Sequence, residues 1–302
     1  MAYIILPVSA NANNGSQYGA GTPVSWPTSV STLLLSIWTF TANDGSTSLT
    51  TQGACTLGIG STGHPGILNF GLNIGFPVGG GFASPNEAQL IWFCQDGLYA
   101  SGGGATNCAN RVQMIFPALT AGQWHQTLIS ADFVNKLFQC YVDGVPQSSF
   151  IYQSDYTPYY GNPSISLGDL PAFPAYFYFD SANPADARLQ ISATRFDATT
   201  WSGCSADYWL MLNQSFVDLS NPTNLAKFIT VGGDPVDYGA DGKGPLGVAP
   251  FVWLTRRTGD SVSAFYTNRG NGSGTFVAND YAYGGCTSFP SITSPAHSCV
   301  MC

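Results

Sequence analysis

The chain ends HSCVMC, which sets His297, Cys299 and Cys302 at H-x-C-x-x-C spacing, with Cys286 upstream. Cys55, Cys94, Cys108, Cys140 and Cys204 bring the thiols to eight. Such groups can ligate zinc, exchange disulfides or form structural bridges. A zinc knuckle needs a second C-x-x-C, and a redox pair needs a helix N-terminus in a βαβ setting; the sequence supplies neither. No metal site is expected. Cys94 and Cys108 bracket the glycine-rich CQDGLYASGGGATNC, and closing that loop stabilises by about 3 kcal/mol in the chain-entropy model. They are the expected internal bridge. Cys140 falls in the middle of an apolar run, where an unpaired thiol serves as a small buried hydrophobe.

Carboxylates are the next candidates. Glycoside hydrolysis needs two of them flanking one bond. The chain holds one Glu, Glu87, and most aspartates stand in turn contexts such as Asp96-Gly97, Asp143-Gly144 and Asp241-Gly242, where the side chain caps local amides. Asp234, Asp237 and Asp241 are close enough in sequence to converge on calcium, but no bidentate Glu follows, and a pair of Asx turns bounded by Gly239 and Gly242 is the simpler reading. The glycine pattern GIGSTG (58–63) precedes His64-Pro65-Gly66 rather than a helix, so it is a turn and not a phosphate cradle. His64, His125 and His297 lack serine and aspartate companions at triad spacing, and no G-x-S-x-G elbow occurs. No enzyme activity and no cofactor are expected.

YQSDYTPYYGNP places Tyr152, Tyr156, Tyr159 and Tyr160 in one loop. Amphipathic rings in a loop suit either sugar stacking or a neighbouring subunit. Sequence leaves both open.

With 302 residues the chain can build a self-sufficient core. Hydrophobic residues make up 44% and charged residues only 9%, with a net charge of −8. The nine Lys plus Arg are scattered singly, which leaves no basic stripe for nucleic acid. The opening MAYIILPVSANANNG has no basic n-region and too short an apolar patch for a signal peptide, so the mature chain is expected to start at Met1. No later run approaches the roughly 20 apolar residues of a membrane span.

The elements that must position these groups read as strands: Ser31–Phe40, Ala88–Phe93, Arg111–Phe116, HQTLISA, LFQCYV, SISLGDL, ARLQISATRF and VAPFVWL, punctuated by Gly, Pro, Asn and Asp. Many short strands with such punctuation predict an all-β sandwich or barrel. HQTLISA and LFQCYV form a hairpin around Asp132 to Lys136, with Phe138, Cys140 and Val142 facing opposite to Leu137, Gln139 and Tyr141. His125 in it is expected to be structural. SNPTNLAKF predicts a short helix, with Asn221 as cap and Pro222 at the first position.

Two stretches carry a family resemblance. Trp124, His125, Leu128, Ser130, Asp132, Tyr141, Val142, Asp143 and Gly144, at their spacing, resemble the hairpin of laminin-G and concanavalin A-like domains. From Ala206 to Leu254, Asp218-Leu219-Ser220, Pro235-Val236-Asp237 with Gly239, Asp241 and Gly242, and Pro245, Gly247 and Pro250 resemble a segment of lectin-like virion proteins of tailed bacteriophages. The resemblance runs from Ser31 to Asn271 and is thinnest before Trp124. It implies a concanavalin A-like jelly-roll β-sandwich over 1–220, with residues 1–30 as an N-terminal strand or arm. A C-terminal extension, 221–302, would pack on the sandwich and end in the Cys-rich tail. The hydrolases of this superfamily carry E-x-D-x-E on one strand, which is absent here. The resemblance therefore implies a non-enzymatic capsid decoration, collar or tail appendage, or alternatively an adhesin for host-surface glycans. Its partners would be other virion proteins and further copies of itself, with neither nucleic acid nor membrane. A virion protein is made in reducing cytosol and meets oxidant after lysis, so Cys286, Cys299 and Cys302 are expected in disulfides, within the tail or to an adjacent subunit.

Overall fold

A computed structural model of the chain describes residues 3–6, 16–18, 27, 29–41, 52–59, 69–76, 88–94, 111–117, 124–135, 137–147, 151–154, 157–158, 177–178, 187–191, 203–255, 267–272 and 276–278. Side chains are described at 27, 30–38, 124–135, 137–147, 207–255 and 267–272. Along the chain run β1 (Tyr3–Leu6), β2 (Ser16–Tyr18), β3 (Ser29–Val30), β4 (Thr32–Thr41), β5 (Gln52–Ile59), β6 (Asn69–Phe76), β7 (Ala88–Cys94), β8 (Arg111–Pro117) and β9 (Trp124–Asp132). There follow β10 (Leu137–Val142), β11 (Val145–Pro146), β12 (Ile151–Ser154), β13 (Thr157–Pro158), β14 (Phe177–Tyr178), β15 (Ala187–Ile191), β16 (Gly203–Leu212), a one-turn helix α1 (Pro222–Leu225), β17 (Val252–Leu254) and β18 (Phe276–Ala278).

The strands form two large antiparallel sheets. One has the order β1-β16-β4-β9-β10-β11, with β17 also paired to β16; the other runs β13-β12-β8-β7-β6-β5-β15-β2-β18. β3 and β14 make a separate two-stranded ribbon. This is the all-β jelly-roll sandwich class expected above.

Both faces of the first sheet are buried at β4 and β9, which explains why LLLSIW in β4 reads as a continuous apolar run. Cross-strand registers place Leu33, Leu35 and Ile37 beside Ala131, Ile129 and Thr127 of β9, and Leu33 and Leu35 beside Leu212 and Leu210 of β16. All of these are nearly or fully buried, as are Cys140, Tyr208, Val252 and Leu254 on the same face. The opposite face carries Leu34, Leu128, Tyr141, Trp209, Met211 and Trp253. Over it folds the segment after β16, contributing Val217, Leu219, Phe228 and Tyr238 to the same core, with Leu225, Val236 and Leu246 packed around it. The core is continuous across residue 220, because β17 returns from the extension to pair with β16.

The helix forms as its sequence predicts. Asn221 Oδ1 accepts from the Thr223 N–H at 2.9 Å, and Pro222 occupies the first turn, where a missing N–H is harmless. The VAPFVWL run is strand only from Val252. Pro250 has no N–H to give a ladder, and the Pro250 and Phe251 carbonyls accept instead from Asn271 and Gly272. Asn268 fastens this junction, accepting from Trp253 and Gly270 N–H and donating to the Phe251 and Gly272 carbonyls.

Candidate functional site

The polar groups over the covered sheet face form three connected constellations. The first explains the hairpin motif. Asp143 and Gly144 both adopt positive φ, 51° and 76°, as a two-residue primed hairpin turn requires. Asp143 then reaches back to β9. His125 Nδ1 donates to its Oδ2 at 2.6 Å, and the Gln126 N–H donates to Oδ1 at 2.8 Å. At the other end of the hairpin Asp132 accepts from the backbone and side-chain amides of Asn135. The motif carboxylates thus lock both ends of one hairpin.

The second constellation is buried. Gln126 Nε2 donates to the Phe228 carbonyl at 2.9 Å and to Ser36 Oγ at 3.1 Å, while the Ser36 and Tyr238 hydroxyls lie 3.0 Å apart. The Tyr238 hydroxyl also reaches the Phe228 carbonyl, at 3.3 Å. This set ties sheet, helix and following loop together through side chains that are 0 to 3% exposed. Gln126 Oε1 is buried and has no partner among the described residues. Burial pushes the Tyr238 hydroxyl far above the ordinary phenol range, so it stays protonated. Trp209, Phe228 and Tyr238 meet edge to face with centroids 5.7 to 6.3 Å apart, a geometry the ring quadrupoles favour. Trp209 Nε1 donates to the Gly242 carbonyl at 2.8 Å.

The third lies in a β-bulge. Ala206 faces Trp38 and Trp209 faces Ser36, so Asp207 and Tyr208 together oppose one residue of β4. Asp207 takes φ 44°, a left-handed conformation that aspartate tolerates better than most residues. Its carboxyl accepts from Thr255 Oγ1 at 2.5 Å. Burial pushes this carboxyl up to about 6; the Thr255 hydrogen bond opposes the rise and the Asp237 charge adds to it.

On the outer surface the carboxylates serve the backbone. Asp218 Oδ1 accepts from Ser220 N–H, Ser220 Oγ and Gln139 Nε2, while Gln139 Oε1 accepts from the Leu219 N–H at 2.6 Å. These bonds hold Asp218 below the usual carboxylate range. Asp237 accepts from the Gly239 N–H, and Asp241 accepts from the Lys243 N–H and pairs with its ammonium at 2.5 Å. Among the described residues no three His, Cys, Asp or Glu side chains converge as metal ligands.

Of the sequence-predicted residues, Tyr152 lies on β12, opposite Val112, in the hairpin at one edge of the nine-stranded sheet. Tyr156, Tyr159 and Tyr160 lie outside the described residues. Cys94 closes β7 opposite Arg111; Cys108, Cys286, Cys299 and Cys302 lie outside the described residues, as do Glu87, His64, His297 and the SISLGDL run. Cys140 is a buried free thiol, and desolvation drives its ionisation far upward, which makes it inert. Sequence reasoning missed Asp207, Gln126 and Ser36. The signal for Asp207 was present: a charged residue inside the otherwise apolar ADYWLML breaks strand alternation, and a bulge is how a strand absorbs such a break.

No protein-family model and no curated protein matches the chain. Solved structures similar to it include domain 4 of AbnA, an extracellular arabinanase of Geobacillus stearothermophilus, in complex with arabinotriose: 15% identity, 74% of this chain and 87% of that one, TM-score 0.37. The CBM40 of a Ruminococcus gnavus IT-sialidase, bound to α2,3 sialyllactose, matches at 9% identity over 72% of this chain and 94% of that one, TM-score 0.37. Tailspike protein 2 of Escherichia coli O157:H7 bacteriophage CAB120 matches at 12% over 70% of this chain and 25% of that one, TM-score 0.33. None of the three follows the chain's path closely enough to carry a binding residue across.

Proposed function

We propose that this chain is a non-enzymatic structural or decorating module of the surface of a tailed bacteriophage particle, made in the host cytoplasm and working outside it. The observation that supports this is the use of the residues bearing the resemblance. Asp218, bonded to Gln139 of β10, and Gly242, bonded to Trp209 of β16, hold the C-terminal segment onto the sheet, while Asp218 with Ser220, Asp237 with Gly239 and Asp241 with Lys243 close its local turns. A motif consumed in this way marks a fold. The test is mass spectrometry of purified particles together with labelling of this chain on them. Stoichiometric, repeated copies are expected, and its absence from intact particles removes the reading.

The second reading is a glycan-binding adhesin. Its support is the placement of Tyr152 in the β12–β13 hairpin at one edge of the nine-stranded sheet. Glycan-array binding weakened by Tyr156→Ala or Tyr159→Ala supports it; no binding to any array glycan removes it.

A further inference from the structure

The two large sheets differ in what their faces carry. At β4 and β9 the seven-stranded sheet is covered on both sides, on one of them by the segment after β16. Along the nine-stranded sheet the ladder registers sort residues by face. From β8 to β15, one face takes the row Val112, Phe93, Phe70, Leu57 and Leu189, and beside it the row Met114, Ile91, Leu72, Cys55 and Ile191. Every member is apolar, as the buried face of a sandwich sheet requires. The opposite face takes the row Gln113, Trp92, Gly71, Thr56 and Gln190, continued by Gln17 of β2, and the row Arg111, Cys94, Asn69, Gly58 and Arg188. A slip of one residue would exchange the two sets, so the pattern fixes which face is the outer one.

We propose that this polar face of the nine-stranded sheet binds an acidic glycan, with Arg111 and Arg188 taking its carboxylates and Trp92 stacking on a sugar ring. The inference rests on the glycan-binding reading and supplies the ligand class and the site. Charge argues for it. The chain has a net charge of −8, yet β2, β5, β6, β7, β8 and β15 contain no Asp or Glu, and two of the nine Lys plus Arg fall in one row of this face. Arg111 on β8 and Arg188 on β15 end that row with β7, β6 and β5 between them, roughly 19 Å at the usual interstrand spacing. A guanidinium takes a carboxylate through paired N–H donors. The residue types between the two arginines are amides, a hydroxyl and an indole, which suit sugar hydroxyls and ring faces. Gly71, in register with Trp92, brings no side chain beside it. Duplex nucleic acid fits less well, because one charge per about 1.7 Å of axis calls for a dense cationic track rather than two arginines so far apart.

The test is binding of the full chain to arrayed oligosaccharides that contain uronic or sialic acids, beside the same oligosaccharides after carboxyl reduction. The acidic forms are expected to bind, and the reduced forms to bind about tenfold more weakly or less, since charge-assisted bonds are lost. Arg111→Gln and Arg188→Gln should each weaken binding of the acidic forms by about tenfold, while Arg111→Lys retains part of it. Thermal unfolding of each variant separates lost binding from a lost fold. Thr56→Lys supplies a gain that misfolding cannot imitate: a further cation on the same face is expected to tighten binding severalfold and to make it more sensitive to salt. Equal binding of acidic and reduced forms overturns the proposal, as does tighter binding to duplex DNA than to any acidic glycan. Binding that ignores both arginine variants and Thr56→Lys but falls with Tyr156→Ala removes this face and leaves the glycan-binding reading standing. No binding to any glycan removes both.

Discussion

Replacing Asp207 by asparagine should make the protein more stable at neutral pH, against the usual effect of altering a buried hydrogen-bonded residue. The folded carboxyl titrates at about 6 and the unfolded one near 3.8. In the native state it therefore holds its proton more tightly. Between those two values the native form binds more protons than the unfolded form, so stability falls as pH rises through the window and stays lowered above it. The difference converts to at most about 3 kcal/mol, an upper bound because Asp207 keeps partial solvent contact. The asparagine side chain cannot ionise, keeps an oxygen for Thr255 Oγ1, and tolerates the positive φ. Urea unfolding followed by tryptophan fluorescence, at about pH 4 and about pH 8, reads the effect. Asp207→Asn is expected to gain about 1–3 kcal/mol at the higher pH and to flatten the slope across the window. Asp207→Ala loses the Thr255 bond and the left-handed tolerance, and gains less or nothing. A wild-type slope that survives in Asp207→Asn, or an asparagine variant less stable than wild type at the higher pH, refutes the assignment.

Other substitutions probe the covered face. Gly242→Ala places a Cβ 2.9 Å from Trp253 Cδ2 and 3.0 Å from the Pro250 ring, at a φ of 72°; strain and overpacking together predict a loss of roughly 2–4 kcal/mol in urea unfolding. Tyr238→Phe removes the hydroxyl shared by Ser36 and the Phe228 carbonyl, and should lower stability by about 1 kcal/mol while leaving the aromatic packing intact. Gln126→Leu leaves the Phe228 carbonyl without its amide donor and is expected to lose about 1–3 kcal/mol. Peptide mapping without reductant should recover Cys94 and Cys108 as one linked species from particles or oxidised protein; recovery of both as free thiols removes the predicted bridge.

The hairpin and helix were legible because their signals are local. Alternation in HQTLISA and LFQCYV sets which residues share a face, Asp143-Gly144 sets the turn, and Asn221-Pro222 sets the helix start. β5 and β6 were not read from GACTLGI and NFGLNIGF, where alternating glycines erase the apolar period and only pairing with neighbours defines the strand. The same limit hid the polar constellations. Ser36 and Gln126 sit on adjacent strands, while Phe228 and Tyr238 come from a segment about a hundred residues further on, and no spacing rule connects them. Asp207 was hidden because its significance lies in a register shift between β16 and β4.

The acidic composition follows from the same architecture. The chain has one Glu among seventeen acidic residues. An aspartate carboxyl is short enough to accept from a backbone amide two or three residues on, whereas a glutamate at the same place overshoots. Asp132, Asp218, Asp237 and Asp241 each make that local bond, to Asn135, Ser220, Gly239 and Lys243. Asp143 makes the equivalent bond across the hairpin to Gln126. A fold of many short strands needs many such closures and few long charged side chains. Among the described residues, most carboxylates are thus engaged in closing turns. Asp207 departs from that pattern: it sits in a strand and its partner is a side chain, and it is the described carboxyl whose proton affinity burial brings closest to neutrality.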